Sequence, residues 1–156
     1  MAMLRLQLFA LTISFFACIA TVTSGNNYIK IHDVSAQAGD TITIKVEIIN
    51  EQAFVGFNFD IPLPPSMKYI EGSERLHRDD GHFLLLNEAG INVVRIISAS
   101  MSNKAFAGNE GIVVTFEVQT SSQPANYKLS AVQAVIGNIE AKDILTSTID
   151  GMILLE

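Results

Sequence analysis

From residue 28 onward the chain returns to one pattern: apolar and polar side chains alternate one for one, in short runs separated by Gly, Pro, Asn and Asp. Only an extended strand sends successive side chains to opposite faces, so this alternation marks strands with one face buried. Residues 41–50 are the clearest case, with Ile42, Ile44, Val46 and Ile48 on one side and Thr41, Thr43, Lys45 and Glu47 on the other. Residues 54–61 send Val55, Phe57, Phe59 and Ile61 inward and Gly56, Asn58 and Asp60 outward. Pro62, Pro64 and Pro65 end that strand, because proline has no N–H to give a ladder. The same reading predicts strands over residues 28–33, 67–71, 82–87, 91–99, 112–118, 127–136 and 144–155, the last broken at Asp150-Gly151. Gln37-Ala38-Gly39-Asp40 and Glu88-Ala89-Gly90 read as turns, residues 72–80 as a charged exposed connection, and residues 102–109 as one helical turn or an ordered loop. No run has the period of a three-turn helix. The fold class is all-β, a nine-stranded antiparallel sandwich or barrel.

The first 25 residues read differently. Arg5 precedes an apolar run from residue 6 to residue 20, and small residues at Val22-Thr23-Ser24-Gly25 lead into Asn26. That is the order of a secretory signal peptide, cleaved to leave a folded domain over residues 26–156. The run is short of the roughly 20 apolar residues with polar flanks that a spanning helix needs, and no other run of that length follows, so no transmembrane helix is expected in the mature chain. The expected location is secreted or associated with a bacterial cell envelope. Cys18 is the only cysteine and leaves with the leader, so no disulfide is available and stability rests on the core. An alternative makes Cys18 a lipid anchor, since Phe15-Phe16-Ala17-Cys18 loosely resembles a lipobox, although aromatic residues stand where small or aliphatic ones belong.

Composition narrows the function. The chain has 156 residues, 49% of them apolar and 17% charged, which suits one globular domain with one core. Its 10 Lys and Arg against 16 Asp and Glu give a net charge of −6, without the basic footprint that binding phosphates demands, so nucleic acid is excluded as a partner. Catalysis needs a nucleophile with its base, a carboxylate pair in a cleft or a metal cluster. None of these stands out, and neither enzymatic activity nor a cofactor is expected. His32 reads as a solvated strand residue. His77 and His82 flank Arg78-Asp79-Asp80-Gly81, a spacing that matches no recognised metal site and lacks the later acids of a calcium loop, so an exposed polar turn is the expectation.

Three segments in order carry a family resemblance. Ala38-Gly39-Asp40-Thr41-Ile42-Thr43-Ile44 resembles the turn that joins the first two strands of cohesin domains. Val55-Gly56-Phe57-Asn58-Phe59-Asp60-Ile61-Pro62-Leu63-Pro64-Pro65-Ser66-Met67 resembles their third strand and the turn after it. Ala105-Phe106-Ala107-Gly108-Asn109-Glu110-Gly111, running into Ile112-Val113-Val114-Thr115-Phe116, is similar to the loop and seventh strand of cohesin-like domains of Bacteroidetes. Pro64 stands where the family carries an acid, so a dependence on that side chain does not carry over. The resemblance implies a nine-stranded jelly-roll sandwich that holds a dockerin-bearing protein, in the assembly of polysaccharide-degrading proteins. It also implies a docking sheet built from strands five, six, three and eight, here residues 82–87, 91–99, 54–61 and 127–136.

Two of those strands depart from alternation. With Val94 and Ile96 inward, residues 93, 95, 97 and 99 present Val, Arg, Ile and Ala outward, and Phe83-Leu84-Leu85-Leu86 is apolar on both sides. Such strands need a second covered face or leave an apolar patch exposed. A partner would cover it; alternatively, the loops at residues 72–80 and 101–109 fold over it. The candidate partner-binding residues are Ile97 at the centre and Asn58, Asp60, Arg95, Lys128, Ser130 and Gln133 as a hydrogen-bonding rim. A competing expectation is that Asp60 and Arg95 merely pair across the sheet. Carbohydrate-binding modules share this sandwich, which makes polysaccharide the second ligand class, but the chain has no Trp and only Tyr28, Tyr69 and Tyr127 to stack on sugars. A structural or adhesion role ranks third, because fold alone does not fix function.

Overall fold

The computed structural model describes residues 25–156. The signal peptide expected from the sequence, with Arg5 and Cys18, lies outside the described residues. Thirteen strands run in chain order: β1 (Asn27–Ile31), β2 (Val34–Ala36), β3 (Thr41–Asn50), β4 (Gly56–Pro62), β5 (Lys68–Tyr69), β6 (Arg75–Leu76), β7 (His82–Gly90), β8 (Val93–Ser100), β9 (Ile112–Gln119), β10 (Ala125–Leu129), β11 (Val132–Gly137), β12 (Ser147–Ile149) and β13 (Gly151–Leu155). No helix forms among the described residues, and residues 102–109 are loop.

One layer is the sheet β12-β1-β3-β9-β5, with β6 also on β9, and the other is the sheet β11-β4-β8-β7. A three-stranded sheet, β10-β13-β2, completes the structure. The alternation explains the core. Ile42, Ile44, Val46 and Ile48 of β3 and Val114, Phe116 and Val118 of β9 join Phe57, Phe59 and Ile61 of β4 and Val94 and Ile96 of β8 in one buried cluster. On β3 the outward neighbours are polar, as a one-sided strand requires, whereas on β8 they are largely apolar.

The expectation of nine strands gives way to thirteen because the runs at residues 127–136 and 144–155 each divide between two sheets and two short strands form outside the expected runs, β2 and, within the expected connection, β6. The predicted strand at residues 127–136 is two: β10 pairs with β13, and after Ser130 and Ala131 the chain crosses so that β11 pairs with β4. The sheets are also not wholly antiparallel, since β1 pairs with β12 and β2 with β13 in parallel. Both members of this parallel couple leave one sheet for the other at the same level, β1 to β2 through His32 and Asp33, and β12 to β13 through Asp150. The crossing needs Gly151. A Cβ there would lie 2.8 Å from the Ile31 carbonyl oxygen and 2.9 Å from that of His32, so any side chain would collide with backbone. The Met152 amide donates to the Asp33 carboxylate at 2.8 Å and fastens the crossing.

The hairpin turn expected at residues 88–90 lies two residues further on. β7 continues to Gly90, and Ile91 and Asn92 make a two-residue turn in which Asn92 has φ of 56°. Asparagine tolerates this left-handed conformation better than most residues.

Candidate functional site

The outer face of β11-β4-β8-β7 is assembled by register alone. Across the sheet, Val135, Asn58, Ile97 and Leu85 form one row, and Val132, Asp60, Arg95 and Asn87 form the next. A third row brings Gly56, Ala99 and Phe83 together. Leu85 is 49% exposed, Phe83 42%, Val132 39% and Val135 36%, an unusual concentration of large apolar side chains in water. Ile97 lies half-buried among them, so the apolar centre expected from the sequence is present and open.

The loops do not fold over this face. Instead Phe106, from the loop between β8 and β9, turns into the end of the sandwich and is 4% exposed. Its ring stacks on Phe54 at 4.7 Å and lies 5.4 Å from Phe57 and 3.7 Å from His82. Arg78, with φ of 56°, ties the two loops together. Its guanidinium donates to the carbonyls of Ala107 at 2.6 Å, Gly108 at 2.7 Å and Ile48 at 2.7 Å and to Asn50 Oδ1 at 2.8 Å, and it sits 5.5 Å above the Phe54 ring. The loops are thereby held at the end of the sandwich, beside the face.

The structure brings Asn58, Asp60, Arg95 and Ile97 onto one surface, with Gln133 at its margin. Arg95 donates from Nε and Nη2 to the two Asp60 carboxylate oxygens at 2.8 and 2.7 Å, the bidentate geometry that makes such pairs strong. Asp60 is only 6% exposed, flanked in register by Val132 and Arg95. The hydrogen bond from Arg95 holds the Asp60 carboxyl below its ordinary range against the opposing effect of burial. The cross-sheet pair is therefore real, and it leaves no free charge in the middle of the face. Gln133 has φ of 51° and is the extra residue of a bulge, since β11 advances three residues from Val132 to Val135 while β4 retreats two.

Lys128 and Ser130 lie elsewhere. Lys128 is on β10, in the three-stranded sheet, where its ammonium meets the Asp150 carboxylate at 2.7 Å. Hydrogen bonds from Lys128 and Ser130 together lower the Asp150 pKa. The placement of these two residues on the rim failed because the run at residues 127–136 reads as one strand in sequence, and nothing in the alternation marks the change of sheet. Four residues of the face were not singled out individually: Phe83, Leu85, Val132 and Val135. For Phe83 and Leu85 the signal was present in the doubly apolar run at residues 83–86, whereas Val132 and Val135 lay in the run whose change of sheet the alternation does not mark.

The histidines serve structure. His82 Nδ1 accepts from the Asp80 amide at 3.1 Å, which leaves Nε2–H to donate to the Lys104 carbonyl at 3.0 Å. His77 bonds Thr115 Oγ1 at 3.0 Å, and His32 is not simply solvated but contacts the Glu47 carboxylate at 2.9 Å. Among the described residues, no group of three His, Cys, Asp or Glu is placed to hold a metal ion.

A two-layer sandwich with an open, flat, largely uncharged face defines the class of a binding module. The cohesin-domain family model matches residues 28–155, and the chain belongs to the cohesin family. Cohesin domains are non-catalytic binding modules. No curated protein matches the chain by sequence. Among solved structures, CaCohA2 of Clostridium acetobutylicum, in a complex with CaDoc0917, is similar with a TM-score of 0.72 at 16% identity, over 84% of this chain and 100% of that one. A non-cellulosomal cohesin from the archaeon Archaeoglobus fulgidus is similar with a TM-score of 0.71 at 16% identity, over 84% and 91%. A type I cohesin–dockerin complex from Clostridium thermocellum gives 0.70 at 14% identity, over 84% and 99%. At such identities the likeness speaks for the fold. No helix among the described residues is long and apolar enough to cross a membrane.

Proposed function

We propose that this chain is a secreted or envelope-associated, non-catalytic module that holds a dockerin-bearing protein on the face of β11-β4-β8-β7. The observation that carries the reading is the open apolar patch of Phe83, Leu85, Val132 and Val135 around Ile97, with Asn58 and Asn87 between them. An apolar centre interleaved with uncharged hydrogen-bonding groups is the composition of protein interfaces, whose cores are poor in charge. Family membership supports the partner class, because solved relatives include cohesin–dockerin complexes. Within this reading the topology is the family's jelly roll, residues 1–25 are a cleaved leader, and the partner belongs to a polysaccharide-degrading assembly. The partner-contacting set becomes Asn58, Arg95, Ile97 and Gln133 with Phe83, Leu85, Val132 and Val135, while Asp60 acts by orienting Arg95.

The experiment is calorimetric titration of a panel of purified dockerin modules into the protein, alongside Ile97→Glu and Arg95→Glu. Binding by the wild type and at least about a hundredfold weakening by Ile97→Glu, equivalent to about 2.8 kcal/mol at tenfold per 1.4 kcal/mol, is expected. Binding that is indifferent to both substitutions would remove the proposed face. Heat with plant polysaccharide fragments and none with any dockerin would favour a sugar-binding role instead.

A further inference from the structure

Among the described residues, β7 has β8 as its one ladder partner and no strand pairs with its other edge, beside which Tyr69 and Glu71 line a cavity with Leu86, Asn87 and Glu88. Sandwiches usually guard such edges, because a row of unpaired N–H and C=O groups invites another strand. Every other edge here is guarded. The free side of β11 is occupied, with the Ile144 amide donating to the Ile136 carbonyl at 2.8 Å and the Ile136 amide to the Asp143 carboxylate at 3.2 Å, and its middle is bulged at Gln133. β5 has two residues, and β2 and β12 have three each. β10 is preceded by Pro124 and carries Lys128. In contrast, β7 runs for nine residues without Lys, Arg or Pro and includes four apolar residues in succession, Phe83-Leu84-Leu85-Leu86.

We propose that two copies of this chain pair antiparallel through the free edges of β7, joining their four-stranded sheets into one continuous sheet. The strand specifies the register. Its regular part runs from His82 to the bulge that follows Glu88, and the midpoint of that segment is Leu85. With the two-fold axis on Leu85, Leu84 lies opposite Leu86, Phe83 opposite Asn87, and Glu88 opposite His82. Asp80 and Asp79 fall level with Gly90 and Ile91, so no acid of one copy meets an acid of the other. An axis on Leu84 would set Glu88 against Asp80, and an axis on Leu86 would set Glu88 against the half-buried Leu84. Like charges directly opposite are destabilising in antiparallel pairs, and apolar pairs are favourable. Charge and length therefore select the same axis. The dimer does not rest on the dockerin reading, although Phe83 and Leu85 lie on both surfaces, and it would place the two docking faces side by side on one surface.

Sedimentation equilibrium of the purified protein without partner, over a wide concentration range, tests this. The wild type is expected to dimerise. Leu85→Lys and Leu85→Glu, which place like charges together on the axis, should each weaken self-association at least about tenfold, while an equimolar mixture of the two should recover a one-to-one dimer. Val135→Lys, on the same face but at the opposite edge, should leave the dimer intact. In the unmodified protein, amide exchange in residues 82–88 should slow as concentration rises. A wild type that stays monomeric up to about millimolar concentration would overturn the proposal. So would a mixture that fails to associate, loss of the dimer in Val135→Lys, or exchange that ignores concentration.

Discussion

Asp60 and Arg95 stand opposite one another on β4 and β8, and their double hydrogen bond decides how the centre of the face responds to pH. Because the folded-state pKa of Asp60 is depressed, its contribution to stability is complete above the unfolded carboxylate value of about 3.9. That contribution disappears as pH falls through the lower folded value. The stability difference between wild type and Asp60→Asn, measured by urea unfolding, should be constant near neutrality and shrink below about pH 4. A difference that grew on acidification would contradict the geometry. At the same scale, Phe106 fills the end of the sandwich, and Phe106→Ala should cost about 3–5 kcal/mol in the same assay. The pair was legible in the sequence, since alternation placed both residues outward and the family resemblance implied that their strands are neighbours. The role of Phe106 was not: the motif marked a loop, but only the fold shows its ring leaving that loop for the core.

The elements carry two local departures from regular structure, with opposite consequences for substitution. Gln133 occupies a left-handed bulge position that L residues adopt at a cost of about 1–2 kcal/mol, so Gln133→Gly should raise stability by about 0.5–1 kcal/mol after allowing for the looser unfolded chain. Thermal unfolding by circular dichroism should show a higher midpoint. Gly151 is the reverse case. Its missing Cβ lets β13 pass the backbone at Ile31 and His32, and Gly151→Ala should cost about 1–3 kcal/mol, with the midpoint lowered accordingly. The break at Asp150-Gly151 was visible in the sequence as turn chemistry. The crossing between sheets that it serves was not, because it depends on the first and last strands lying parallel, more than a hundred residues apart along the chain.

For the molecule as a whole, the buried cluster backs the sheet β11-β4-β8-β7 while the clamped loops leave its outer face bare. A flat face need not reorganise when a partner arrives, and such preorganisation reduces the ordering cost of association. With the only charged pair on the face internally satisfied, partner binding should depend weakly on ionic strength. Titrations at low and high salt should give nearly equal affinities, and a steep loss in salt would point to a charged contact surface instead. The sole cysteine, Cys18, has no second thiol in the chain to join, so reductant should leave the unfolding midpoint of the monomer unchanged.

Alternation by itself determined that the chain is all-β, which apolar side chains of β3, β4, β8 and β9 form most of the core, and that residues 83–86 and 93–99 carry apolar groups on both sides. These are consequences of a period of two, which is local and survives in any strand arrangement. Tertiary structure alone decided that residues 127–136 divide between two sheets, so that Lys128 meets Asp150 while Val132 and Val135 reach the face. It also decided that Arg78 and Phe106 draw the loops away from that face and leave it open. Those outcomes rest on hydrogen bonds and contacts between residues far apart in sequence, and no periodicity along the chain records which distant backbone a side chain will meet.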